Sequence, residues 1–177
     1  MVSVDRSLIS VLIRDHRRIM DLIMRLPTTH GPDRRRLVDR MSGELILHAV
    51  AEDLYLYPTV HSTVPRWAID VAMETGAHTR IEHLLAEISS TDAADATFGT
   101  LVTRLICEVE RETMHEELSV FPWLSHHSDR RTLVELGDKI IAFKKAAVVE
   151  KTPGHGLLIR YHGVVLDRWE PPGQGAS

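Results

Sequence analysis

Between Glu112 and Pro122 the chain reads ETMHEELSVFP. Three carboxylates (Glu112, Glu116, Glu117) and one imidazole (His115) fall within six residues. An earlier stretch, HAVAEDLYLYP (His48–Pro58), follows the same plan at an offset of 64, so that Glu52 aligns with Glu116, Asp53 with Glu117 and Pro58 with Pro122. A second pair of segments, DHRRIMDLI and AHTRIEHLL, matches at an offset of 62 and aligns His16 with His78. Side chains four apart share one face of a helix. Imidazole and carboxylate together, without thiolate, suit iron or manganese, and by ligand type also zinc. The candidate metal ligands are therefore His16, His48, Glu52, His78, Glu112 and Glu116.

Each of these residues has a plainer reading taken singly. His48 and Glu52 make a surface i, i+4 pair worth only a few tenths of a kcal/mol, and a lone histidine is ordinarily a partly buried side chain. The set reads differently. All six lie on stripes that also carry the apolar core, and they recur in both halves of the repeat. Polar groups at the centre of a bundle are costly unless something satisfies them, and metal ions do so.

The ETMHEE stretch leaves its own ligand open. Glu112 occupies the register of His48. His115 offers an imidazole instead, through the Glu-x-x-His step that ferritin-like bundles use. Both bind, or one stands behind the other, in a third arrangement. Register favours Glu112. Glu117 falls off the face and is expected in solvent. Tyr55, seven residues after His48, shares the His48/Glu52 face. It is either a core tyrosine with its hydroxyl bonded locally or a group at or behind the metal.

These residues need helices to position them. The first helix is expected from about Asp5 to Leu26, with Leu8, Leu12, His16, Ile19 and Ile23 on one face. Asp33 is the expected N-cap of the second, which Pro58 should end. Pro65 suits the first turn of the third, which carries His78, Ile81, Leu85 and Ile88. Gly76 is expected to mark close packing near His78. The fourth carries Phe98, Val102, Leu105, Val109, Glu112 and Glu116 and should end at Pro122. A fifth amphipathic segment, capped by Ser128, should run to just before Pro153. Beyond it, LLIRY and VVLDRW flank His162-Gly163, a candidate tight hairpin turn, and PPGQGAS has the composition of disorder. The expected organisation is an all-α up-down four-helix bundle over residues 1–125, an additional packed helix over 126–152, and a tail over 153–177.

Composition agrees. The 177 residues are one domain's worth of chain. A net charge of −4 gives no basic surface for nucleic acid. The single Cys107 excludes an internal disulfide and a multi-Cys zinc site, and it lies off the inner stripe. No apolar run reaches membrane-spanning length, and the N-terminus lacks the apolar core of a signal peptide, so the expected location is cytoplasmic.

With DH at Asp15-His16, HxxxE at His48/Glu52, YP at Tyr57-Pro58 and their partial repeat, the chain resembles the hemerythrin-like (HHE cation-binding) family over about Asp5 to Pro122. Its likeness is closest to the mycobacterial and actinobacterial branch. The resemblance implies a four-helix bundle around a non-haem, carboxylate-bridged di-iron centre, with an oxo group as a further candidate bridge. Its implied ligands are His16, His48, Glu52, His78 and Glu116, with Glu52 and Glu116 bridging. A histidine belongs four residues before Glu116, and here that residue is Glu112. The resemblance implies peroxide-consuming, catalase-like chemistry in oxidative-stress defence. The added anion at Glu112 favours ferric iron and so disfavours reversible oxygen carriage. The alternative is a non-enzymatic module that binds or senses iron, oxygen or nitric oxide. Partners are then small oxidants. Oligomer formation is open, and the fifth helix is expected either to cap the bundle's end or to form a dimer surface.

Overall fold

The computed structural model describes residues 5–63, 68–92, 94–152, 156–162 and 164–166, the side chains of 68–75, 151–158 and 164–166 excepted. Four long helices form the bundle: α1 (Leu8–Ile23), α2 (Gly31–Ala51), α4 (Ala68–Ser90) and α5 (Ala96–His115). Two short helices, α3 (Tyr57–Thr63) and α6 (Phe121–His127), extend α2 and α5. A further helix, α7 (Arg130–Ala146), is followed by three strands, β1 (Val148–Thr152), β2 (Gly156–Tyr161) and β3 (Val164–Leu166).

Local chemistry explains most of the boundaries. Ser7 caps α1 by accepting from the Ser10 N–H at 3.3 Å, Asp95 caps α5 by accepting from Thr97 at 2.8 Å, and Asp129 caps α7 through Thr132 at 2.9 Å. Each side chain satisfies an N–H that has no partner within its helix. The cap of α7 is thus Asp129, one residue beyond the expected Ser128. Asp33 does not cap α2. That helix already starts at Gly31, and Asp33 lies in its first turn, where a carboxylate favours the positive end of the helix dipole.

The two prolines do not end their helices. Helix α2 passes into a π turn at Glu52–Leu56 and resumes as α3, and α5 passes into a π turn at Glu116–Val120 and resumes as α6. The Tyr57 N–H donates to the Glu52 carbonyl, and the Phe121 N–H to the Glu116 carbonyl, each reaching back five residues. An α-helical proline would clash with the carbonyl four residues before it. The wider turn moves that carbonyl aside, so Pro58 and Pro122 sit in resumed helix. Single π turns of this kind concentrate at functional sites.

Leu12, Ile19, Ile23, Leu56, Ile88 and Leu105 fill the core, and α7 adds Ile140 and Phe143, both fully buried. Burying each such side chain contributes about 1.5–3 kcal/mol, so α7 is part of the core. It lies along α1, neither capping the bundle's end nor standing apart from it. Gly137 fixes the approach: a Cβ there would stand 1.9 Å from the Arg6 carbonyl oxygen and 2.8 Å from the Leu8 nitrogen. Gly76 has no such role, since only the flexible Arg80 guanidinium comes near it, at 3.3 Å.

The fifth helix stops at Ala146, earlier than expected, and residues 148–152 form a strand. Val148 and Val149 are β-branched and suit it. β1 pairs antiparallel with β2 from Val148↔Arg160 to Thr152↔Gly156, and β2 pairs with β3 from Tyr161↔Val164 to Ile159↔Leu166. His162 opens the β2–β3 turn with φ +48°, the left-handed conformation a two-residue hairpin turn requires. The sheet leans on the bundle through buried Ile159 and through Tyr161, whose ring meets Phe143 at 5.0 Å. The expectations for Pro65 and PPGQGAS fall outside the described residues.

Candidate metal centre

The bundle brings its polar side chains together at mid-height. His16 (α1), His48 (α2), Glu52 (first π turn) and Glu116 (second π turn) place one ligand atom each within 4.8 Å of one another, and so do Glu52, His78 (α4) and Glu112 (α5). All six expected ligands are in these two groups, and Glu52 is common to both. Its oxygens diverge: Oε1 lies 2.9 Å from His48 Nε2 and 4.0 Å from His16 Nε2, while Oε2 lies 3.1 Å from His78 Nε2. Glu116 Oε2 stands 3.1 Å from His16 Nε2, and Glu112 Oε1 stands 2.9 Å from His78 Nε2.

Every imidazole also turns its other nitrogen to an outer carboxylate. His16 Nδ1 lies 2.8 Å from Glu117 Oε1, His78 Nδ1 3.5 Å from Asp53 Oδ1, and His48 Nδ1 3.8 Å from Asp15 Oδ2. The His16–Glu117 contact is a hydrogen bond, and a carboxylate so placed fixes the tautomer that leaves Nε2 free to ligate and raises its basicity; Asp53 and Asp15 stand at charge-pair distance from their imidazoles. Glu117 is therefore not simply a solvated residue, as its position off the inner face implied. It and Asp53 occupy equivalent places in the repeat.

The donor set fits a cation. Glu52 and Glu116 are 0 % exposed. Their oxygens Glu52 Oε1 and Glu116 Oε2, together with His16 Nε2 and Glu112 Oε1, make no hydrogen bond although they stand close to one another. Electrostatics point the same way. Burial and the neighbouring Glu52 carboxylate push Glu116 up to about 7. Burial alone would also raise Glu52, but His48 and His78 outweigh it and hold that carboxyl well below the usual range. Burial opposes charge on His48, yet Glu52 and Asp15 raise it to about 10. His78 is likewise raised well above its ordinary value, against burial, by Glu112 and Glu52. Protons thus take the place a cation would fill, between carboxylates with few other donors.

Tyr57, like Asp53 and Glu117, is a site residue that sequence reasoning missed. Buried, it donates from its hydroxyl to Glu116 Oε1 at 3.1 Å and stands 3.4 Å from His78 Nε2. The π turn stacks residue 57 over Glu52, five positions on, where an unbroken α-helix would put residue 56. Tyr55 goes elsewhere. Its ring meets Phe143 at 6.5 Å and its hydroxyl bonds with Tyr161, so it belongs to the α7 and sheet contact. In the other half Phe121 is the counterpart of Tyr57, and it stacks on His16 at 5.8 Å. The one available signal was the Pro six residues after each glutamate. His115 falls in neither ligand group. Cys107 is exposed.

The model of the hemerythrin HHE cation binding domain matches residues 7–135. A solved structure of a hemerythrin HHE cation binding domain-containing protein from Mycobacterium kansasii is similar in fold, with a TM-score of 0.66 and 21% identity over 75% of this chain and 81% of that one. No curated protein matches. Among the described residues no helix is long and apolar enough to cross a membrane.

Proposed function

The chain belongs to the hemerythrin HHE cation-binding family, and on that premise we propose that it holds two iron ions and consumes hydrogen peroxide. His16, His48, Glu52 and Glu116 would hold one ion, and His78, Glu112 and the shared Glu52 the other, with Glu116 a second candidate bridge. Two bound irons supply a two-electron change without releasing a radical, which is what conversion of peroxide to water or to oxygen requires.

The observation that carries the reading is the carboxylate at Glu112, 2.9 Å from His78 Nε2, where the repeat has an imidazole at His48. Three inner carboxylates, backed by three more on the imidazole Nδ1 atoms, make a strongly anionic surround. Such a surround stabilises the higher metal charge. A reversible oxygen carrier needs a durable ferrous state, so this ligand set favours turnover over carriage. The protein's own part is positioning. Glu117 holds the His16 imidazole, the Tyr57 hydroxyl offers a proton donor at Glu116, and Leu45, Ile46, Ile81 and Leu85 wall a cavity of about 10 Å³ beside His48, His78 and Glu112. A space of that size takes about one water-sized molecule.

The test is oxygen release on addition of hydrogen peroxide to iron-loaded protein. We expect about two irons per chain and release well above that of a Glu52→Ala, Glu116→Ala variant. Equal rates for the two proteins would remove the catalase-like reading.

A further inference from the structure

We propose that Lys144, on the helix outside the four-helix repeat, is a positioning residue for one half of the metal centre. The inference rests on the metal-site reading above, though not on peroxide as the substrate.

The lysine ammonium pairs with Asp15 Oδ2, and the same oxygen faces His48 Nδ1 at 3.8 Å. His48 Nε2 in turn meets Glu52 Oε1 at 2.9 Å. A continuous path of polar groups thus leads from α7 through α1 and α2 to the shared carboxylate. It is well shielded, since the Lys144 and Asp15 side chains are 17% and 13% exposed. An ion pair there is screened far less than one on the surface.

The other two outer carboxylates differ. Glu117 and Asp53 face their imidazoles at 36% and 22% exposure, so both are more open to solvent than Asp15. A free Asp15 carboxylate has several rotamers; one held by Lys144 has Oδ2 fixed, and that oxygen is the one facing His48. The ammonium also offsets the Asp15 charge, so His48 is oriented without being made as strong a donor as His16. The two iron positions would then be inequivalent, with α7 setting the difference.

The placement of α7 supports this. Gly137 packs on the α1 backbone at Arg6 to Leu8, and Arg6 pairs with Asp138 at 2.7 Å. Leu8 to Asp15 on α1 and Gly137 to Lys144 on α7 are each seven residues, two turns. The two helices run side by side in the same direction, and the glycine contact fixes the depth at which Lys144 meets Asp15.

The experiment uses the full chain and Co(II) as probe, titrated against a competing chelator, with circular dichroism confirming the fold. We expect Lys144→Met to weaken one of two binding steps by ~10–100-fold, the usual cost of losing an outer partner. Lys144→Arg should restore most of that loss. In an Asp15→Asn background, Lys144→Met should change affinity by less than ~3-fold, because the effect travels through Asp15. Unchanged affinity in Lys144→Met, or an equal loss in both backgrounds, would overturn the inference. So would a wild-type chain that binds no Co(II). A wild-type chain that shows the Lys144 effect but releases no oxygen from peroxide in its iron form would refute the catalase-like reading and leave this one standing.

Discussion

At the scale of single residues the two tyrosines in and just after the first π turn make a clean contrast. Tyr57 reaches Glu116 and His78, whereas Tyr55 reaches Phe143 and Tyr161. Tyr57→Phe should lower peroxide-dependent oxygen release by ~10-fold through loss of the donor beside Glu116. Tyr55→Phe should leave the rate and the ferric absorption spectrum alone and lower stability by about 1 kcal/mol, the net worth of one hydrogen bond. The reverse pattern, read on the oxygen electrode and in the visible spectrum, would contradict the placement. Glu112→His returns an imidazole to the place equivalent to His48. With one less anion the ferrous form should persist longer in air and oxygen release should fall by ~10-fold. Faster turnover would mean that Glu112 does not set the redox preference. The six inner residues were legible because a polar side chain on an apolar stripe stands out, and the repeat doubled that signal. Tyr57, Asp53 and Glu117 were not, because their roles depend on where an extra residue enters a helical turn. Hydrophobic spacing of three and four does not report that.

At the scale of elements the same distinction holds. The apolar stripes of α1, α2, α4 and α5 could be read directly, and the hairpin around His162-Gly163 announced itself by its turn. Two features could not be read. The prolines looked like helix ends because proline usually is one, but a π turn before each lets the helix resume. Strand β1 continued the pattern of α7 by composition, and only pairing with β2 separates them. Gly137 shows what α7 requires. A methyl group there would meet the α1 backbone, which cannot rotate aside as a side chain would. Gly137→Ala should therefore cost at least about 1–3 kcal/mol, the usual penalty of overpacking, seen as a lower denaturation midpoint. The metal step that depends on Lys144 should weaken with it. Gly76→Ala, facing only the Arg80 side chain, should be neutral or slightly stabilising, because alanine is the better helix former by about 1 kcal/mol. Equal effects at the two glycines would show that α7 tolerates a looser seat.

For the whole molecule the buried charges link stability to pH, with opposite signs for the metal-free and metal-loaded forms. In the metal-free chain His48 is raised from 6.5 to about 10, and His16 and His78 are raised as well. A raised histidine stabilises the fold fully below its unfolded value of 6.5, and that contribution is lost as pH climbs toward the folded value. Glu116, raised from 4.5 to about 7, acts in the same direction: the folded state holds its proton longer, and stability falls as pH rises through that range. Glu52 and Asp15 are lowered, so their contribution is present above their ordinary values of 4.5 and 3.8 and disappears in acid. Metal-free protein should accordingly be most stable between these limits, at about pH 5–6, and its unfolding temperature should drop steadily into alkali. Metal binding needs the same imidazoles neutral and the same carboxylates ionised, so affinity rises as protons leave. Since a ligand at fixed concentration stabilises more as its dissociation constant falls, the loaded protein should gain stability over the very interval in which the empty one loses it. Thermal unfolding at about pH 5.5 and about pH 8.5, with chelator and with a fixed excess of metal, measures both slopes. Parallel slopes would mean that the buried histidines and carboxylates are not where the metal binds.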